Sequence, residues 1–95
     1  MTKLRNSARD EECTLRILAV CNYDPATTVL AHIRRPWNAG VGLKPRDDEA
    51  VYACSACHDL ADRRRPSVLS RAEIDSHLLD GLMKTHRRMR EKGLL

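Results

Sequence analysis

The stretch Cys54-Ser55-Ala56-Cys57-His58-Asp59 places two thiols, an imidazole and a carboxylate within six residues, and little else in the chain is so dense in metal-binding chemistry. Two residues between thiolates let a tight turn aim both sulfurs at one tetrahedral ion, so Cys54 and Cys57 read as half of a zinc site. The other half is expected from Cys13 and Cys21, which are spaced more widely than a usual zinc-knuckle pair. A hairpin folding at Leu18 to Ala19 brings them to one end. The expectation is a closed structural Zn²⁺ site of Cys13, Cys21, Cys54 and Cys57, with His58 able to replace one of them. A thioredoxin-like redox pair competes, but that motif belongs in a βαβ context the chain does not display. Cys13 and Cys21 can each also be read as small buried hydrophobes.

Composition calls for such a clamp. With 95 residues, 3% aromatic and no Phe, the chain reads as one small domain, residues 1–95, with a modest core. A structural metal is a common substitute for a large core in domains of this size. Two disulfides are the alternative use of four cysteines. They require an oxidising compartment, whereas residues 1–12 are polar and charged and look nothing like a secretory leader. A reduced, cytoplasmic setting is expected, with no membrane association, because no run is long and apolar enough to span a bilayer. Seventeen Lys and Arg against thirteen Asp and Glu give a net charge of +4, which permits a nucleic-acid partner without demanding one.

Outward from the central stretch, Ala50-Val51-Tyr52-Ala53 reads as a short strand leading into Cys54, and Thr28 to Ile33 as another, ended by Pro36. The β-branched and apolar run from Cys13 to Cys21 predicts a third strand or a tight hairpin. Residues 1–12 are expected to be a mobile arm or a short helix. Between Arg34 and Glu49 lies a loop rich in Gly, Pro and charge, too polar for core and too long for an idle connection. Trp37 within it is expected to pack under the loop, with stacking on a base as the alternative. His58 to Arg65 reads as helix until Pro66.

The clearest element is the last. Ser70-Arg71-Ala72-Glu73 is a capping box, and Ile74, Leu78, Leu79, Leu82, Met83 and Met89 recur at helical spacing, giving a C-terminal helix over 70–92 with Gly93 as its cap. Gly81, mid-helix, predicts a kink or a close approach.

If the cysteines close the zinc site, His58 is left free at the start of a helix, with Asp62 four residues on and on the same face. Such a pair can chelate a hydrated divalent ion, although an exposed His–Asp pair is more often inconsequential.

Together these residues resemble the HNH nucleases of the ββα-metal superfamily, and more closely the small prophage-borne YbcO-like nucleases. The resemblance rests on Leu30-Ala31-His32-Ile33, the Gly-containing basic loop, Cys54 to Asp59, the upstream Glu12-Cys13 and the terminal Glu91 to Leu95. It implies a small zinc-stabilised α+β domain with a C-terminal helix that hydrolyses phosphodiesters, of DNA before RNA. By the same resemblance His32 is the general base and His58 a ligand of a catalytic Mg²⁺ or Mn²⁺ (Zn²⁺ or Ni²⁺ being alternatives). Asp62 is a further ligand, and Asp48 the residue that steadies the base, with Asp47 and Glu49 as rivals for that role. Relatives often carry a metal-ligating His or Asp before the base; here that position is Ala31, which leaves few protein ligands. Arg34, Arg35, Lys44, Arg46, Arg63, Arg64 and Arg65 are expected to hold nucleic acid. The rival expectation is a non-catalytic zinc module that binds nucleic acid or protein.

Overall fold

Two four-residue strands, β1 (Val29–His32) and β2 (Ala50–Ala53), set the frame. The computed structural model describes residues 2–95, so Met1 of the expected arm lies outside the described residues. The strands are antiparallel, pairing Val29 with Ala53, Leu30 with Tyr52, Ala31 with Val51 and His32 with Ala50. A lone two-stranded hairpin is marginal in water; here all four residues of β2 are buried.

Period-two alternation explains how. Val51, Ala53 and Ala31 join Cys13, Leu15, Ile17, Cys54, Cys57 and Leu60 in one apolar cluster, while Tyr52 meets Ala8 and Met89 in a second, with Leu30 packed against it. The outer edge of β2 is satisfied by threonines. Tyr52 N donates to Thr85 Oγ1 (3.0 Å), and Tyr52 O accepts from Thr14 N (2.8 Å) and Thr14 Oγ1 (2.9 Å). These bonds close what would otherwise be a sticky edge.

Helix α1 (Lys3–Ser7) resolves the arm-or-helix alternative in favour of the helix. Ser7 Oγ lies 2.7 Å from the Tyr52 hydroxyl, Ala8 is buried, and Arg88 and Lys92 hold the segment through Glu11, the Glu12 carbonyl and the Ser7 carbonyl. The expected strand over Cys13 to Cys21 does not form. The segment is irregular, with Arg16 and Ala19 at positive φ, and its turn falls where the fold-back was expected: Val20 N and Cys21 N both donate to Ile17 O.

Helix α2 (Ser55–Ala61) starts directly from β2, with Cys54 as its N-cap. Helix α3 (Arg71–Glu91) carries the complete Ser70–Glu73 capping box. Its buried residues are Ile74, Leu78, Gly81, Thr85 and Met89, whereas Leu79 and Met83, expected on the apolar face, are exposed. Gly81 marks a close approach: a Cβ there would stand 2.7 Å from Leu15 Cδ2 and 3.0 Å from Thr14 Oγ1. Among the described residues no helix is long and apolar enough to cross a membrane.

Candidate functional site

The cysteines assemble first. One ligand atom from each of Cys13, Cys21, Cys54 and Cys57 lies within 4.8 Å of all the others. Each half is built by a turn in which a backbone N–H points at sulfur, Arg16 N to Cys13 Sγ (3.5 Å) and Cys57 N to Cys54 Sγ (3.4 Å). None of the four is in a disulfide. The Cys54–Cys21 sulfur separation is 3.8 Å, close to the edge of about 3.8 Å that a tetrahedron with Zn–S bonds of about 2.3 Å requires. The hydrogen bond from Cys57 draws the Cys13 thiol down to about 4 against the opposing effect of burial, while the same bond, with burial, pushes the Cys57 thiol up. Four crowded sulfurs of this kind fit a divalent cation that replaces the shared protons.

The cysteine cluster leads into a second feature. Cys57 is followed by His58, and its Nε2 lies 3.0 Å from Asp62 Oδ2, one turn along α2. His58 and Asp62 line an open cleft together with Ala31, His32, Arg34, Arg35 and Arg71. His32 ends β1 and borders both this cleft and a separate depression beside Arg5 and Arg9 of the N-terminal segment.

The partner of His32 is Asp47, whose Oδ1 lies 2.8 Å from His32 Nε2. Thr2 Oγ1 donates to the other carboxylate oxygen, Oδ2, at 2.6 Å, and Arg5 Nε stands 3.6 Å from Oδ1. The Thr2 bond first, then the His32 bond, hold the Asp47 carboxyl below its ordinary range. An ionised carboxylate only accepts, so Nε2 carries the hydrogen and the lone pair of a neutral ring is at Nδ1. Among the described residues Nδ1 has no hydrogen-bond partner.

With this geometry in place the comparison with known proteins is decisive for family. The family described as "Putative nuclease YbcO" matches residues 2–94. The chain belongs to the YbcO family. "Putative nuclease YbcO" of Escherichia coli (strain K12) is 56% identical over 64 residues, 67% of each chain, and "Putative nuclease ybcO" of Enterobacteria phage 82 matches to the same extent. A solved structure, "Structure of a putative bacteriophage protein from Escherichia coli str. K-12 substr. MG1655", has a TM-score of 0.80 at 40% identity and covers 96% of this chain and 100% of that one.

Within this YbcO-family chain the expected residues divide. Asp48, the expected steadying residue, does not reach His32: its carboxylate meets Arg46 Nε at 3.2 Å, and its carbonyl accepts from His86 Nε2. The reason is the turn Arg46 to Glu49, closed by Glu49 N to Arg46 O (2.9 Å), which aims Asp47 rather than Asp48 at the end of β1. Arg34, Arg35, Arg63 and Arg64 line the cleft, whereas Lys44, Arg46 and Arg65 do not. Arg64 is held by Asp62 (2.9 Å) and Asp59 (3.4 Å), and Arg35 by Asp75 (2.8 Å). Trp37 is 72% exposed rather than packed under its loop.

Sequence reasoning missed Arg71, Asp75, Asn38 and His86. Arg71 had a signal: a cation in the first turn of a helix opposes the macrodipole, so its presence there asks for another purpose. Asn38 had another, as an Asx residue able to cap its own turn: Oδ1 accepts from Arg35 N (2.6 Å) and Nδ2 donates to Ile33 O (2.9 Å).

Proposed function

We propose that this chain is an HNH-type, metal-dependent endonuclease that hydrolyses phosphodiesters of nucleic acid, DNA in preference to RNA. The observation that carries the reading is that an Asp47-oriented His32 and the His58–Asp62 pair border one arginine-lined cleft.

In this reading His32 Nδ1 takes a proton from the attacking water, whose oxygen forms the new bond to phosphorus as the bond to the leaving oxygen breaks. General-base action of this kind is typically worth about 10²–10⁴-fold. Asp47 fixes the tautomer and the ring plane. Arg34, Arg35, Arg63 and Arg71 hold the phosphate backbone, giving salt-sensitive and largely sequence-independent affinity. His58 and Asp62 would hold a divalent ion, which supplies charge stabilisation at the phosphate and leaving oxygen. Two donors, partly exposed, suit Mg²⁺ or Mn²⁺ that keeps most of its waters, and the imidazole favours Mn²⁺, Zn²⁺ or Ni²⁺ among the alternatives. Cys13, Cys21, Cys54 and Cys57 would hold a separate ion, Zn²⁺ by their donor set, which would supply no chemistry and would tie α2 to the irregular Cys13–Cys21 segment.

A second reading, a zinc module that binds nucleic acid without cutting it, is favoured by two observations. Ala31 lines the cleft without offering a ligand, and Arg64 already occupies Asp62. Plasmid nicking with Mg²⁺ or Mn²⁺ separates the two readings. The nuclease reading expects cleavage that falls about 10²–10⁴-fold in His32→Ala. Equal inactivity of both proteins across metals, with zinc content intact, selects the binding module.

A further inference from the structure

Beside the cleft lies a second, mostly apolar pocket to which the proposed chemistry gives no role. Ile33 and Leu82 contribute its aliphatic surface, Trp37 and His86 its rings, and Asp48 and Glu49 also line it. Trp37 is the one tryptophan of the chain, and an indole that is 72% exposed on a polar loop is unusual unless something covers it. Ile33 and Arg35 line this pocket and the cleft alike, so the two are neighbours.

Several of the polar groups around the pocket are already engaged. Both ends of the Asn38 amide are used, Arg35 is held by Asp75 and the Arg34 carbonyl, His86 by the Asp48 carbonyl, and Glu49 Oε1 by Arg46 N (2.7 Å). What the pocket chiefly offers is a π-face and aliphatic surface beside Arg35, with the Asp48 and Glu49 carboxylates at its edge and the arginines of the cleft next to it. That combination suits a flat, apolar-faced group attached to a phosphate, and it offers little to the hydrogen-bonding edge by which one base is told from another.

We propose that the Trp37 pocket receives an unpaired nucleobase of the strand whose phosphate lies in the cleft, and that the substrate is single-stranded, branched or otherwise unpaired beside the cut. The assignment rests on the nuclease reading for the position of that phosphate. In an intact duplex the bases are stacked on each other, so a base reaches the indole only after leaving the stack, and the penalty is least where it is already unpaired. Because stacking needs only a π-face, the pocket tolerates every base.

The lone tryptophan is its own reporter. The zinc-loaded chain, residues 1–95, is titrated, without added Mg²⁺ or Mn²⁺, with single-stranded oligothymidylate and with a blunt duplex of equal length. Trp37 fluorescence is read alongside the anisotropy of labelled DNA. Saturable quenching by the single strand is expected, with much less from the duplex. Trp37→Ala should weaken the single strand about 5- to 150-fold and leave duplex affinity within about twofold, and Trp37→Phe should recover most of the loss.

The pocket assignment is overturned if the single strand fails to bind, if it binds without changing the fluorescence, or if Trp37→Ala weakens both DNAs alike. Nicking separates this outcome from the fate of the nuclease reading. Cleavage without a fluorescence response removes the pocket and keeps the enzyme, whereas a response without cleavage keeps the pocket and removes the catalysis.

Discussion

The two helices that follow β2 end in the same hydrogen-bond pattern on different residues. At the end of α3, Gly93 N reaches Arg90 O (3.0 Å) and Leu94 N reaches Met89 O (2.8 Å); at the end of α2, Arg63 N reaches Leu60 O (3.0 Å) and Arg64 N reaches Asp59 O (2.8 Å). Both are Schellman closures, and both need a left-handed residue just past the cap. Gly93 supplies it at φ +75 without a Cβ, while Arg63 adopts φ +59 with a full side chain. A left-handed residue with a Cβ costs about 1–2 kcal/mol. The strained end is the one that borders the proposed cleft.

The difference runs through the whole of each helix. Helix α3 has 21 residues, a capping box and a glycine stop, and its sequence supports it locally. Helix α2 has seven, too few to persist on propensity, and its N-cap is a cysteine of the sulfur cluster. One helix carries local signals at both ends; the other is held by the fold and presents His58, Asp62 and Arg63 to the cleft.

The most severe way to break that contrast is to remove the clamp. Chelation, or Cys57→Ala, should melt α2 and the cleft while much of α3 remains, since a cysteine-bound zinc contributes about 10–16 kcal/mol of apparent binding free energy at pH 7 in small modules. Hydrogen exchange resolved by segment checks it, and equal loss of protection in α2 and α3 would show that the helices do not differ in this way.

The next effects are near 1 kcal/mol. Arg63→Gly should raise stability by about 0.5–1 kcal/mol while weakening DNA binding, and Gly93→Ala should lower stability by about 1 kcal/mol with no change in DNA binding. Denaturant midpoints paired with salt-dependent DNA titrations test the two together. Gly81→Ala sharpens the point from the helix interior. Propensity favours the alanine by about 1 kcal/mol, but the Cβ meets Leu15 and Thr14. Overpacking costs about 1–3 kcal/mol, so a net loss of about 1 kcal/mol is expected in urea unfolding.

The smallest effect concerns Asp47, which anchors the cleft from the α1 side. Its folded pKa is depressed, so its bonds to Thr2 and His32 stabilise the fold above the unfolded value of about 3.9. That contribution is lost as pH falls below 3.9 through the folded pKa. Asp47→Asn should flatten this acid limb in denaturant titrations between about pH 2 and 5.

Legibility followed the range of the forces. The capping box, the Gly93 stop, β2 and Cys54-x-x-Cys57 all act within a few residues, and their sequence signals correspond to what forms. The Cys13–Cys21 segment misled because its β-branched run suggests a strand, yet it packs as irregular chain whose Thr14 caps the edge of β2. Leu79 and Met83 misled because helical spacing cannot tell how wide a stripe the rest of the fold covers.

From the sequence alone came the four-cysteine site as an expectation, the two strands, the long helix, and the pairing of His58 with Asp62, since each depends on spacing along a chain of known geometry. Only tertiary structure decided that Asp47 rather than Asp48 meets His32, that Arg35 is held by Asp75, that Gly81 is a contact point, and that Trp37 stands in the open. Those outcomes depend on which surfaces meet across tens of residues, and local spacing carries no information about that.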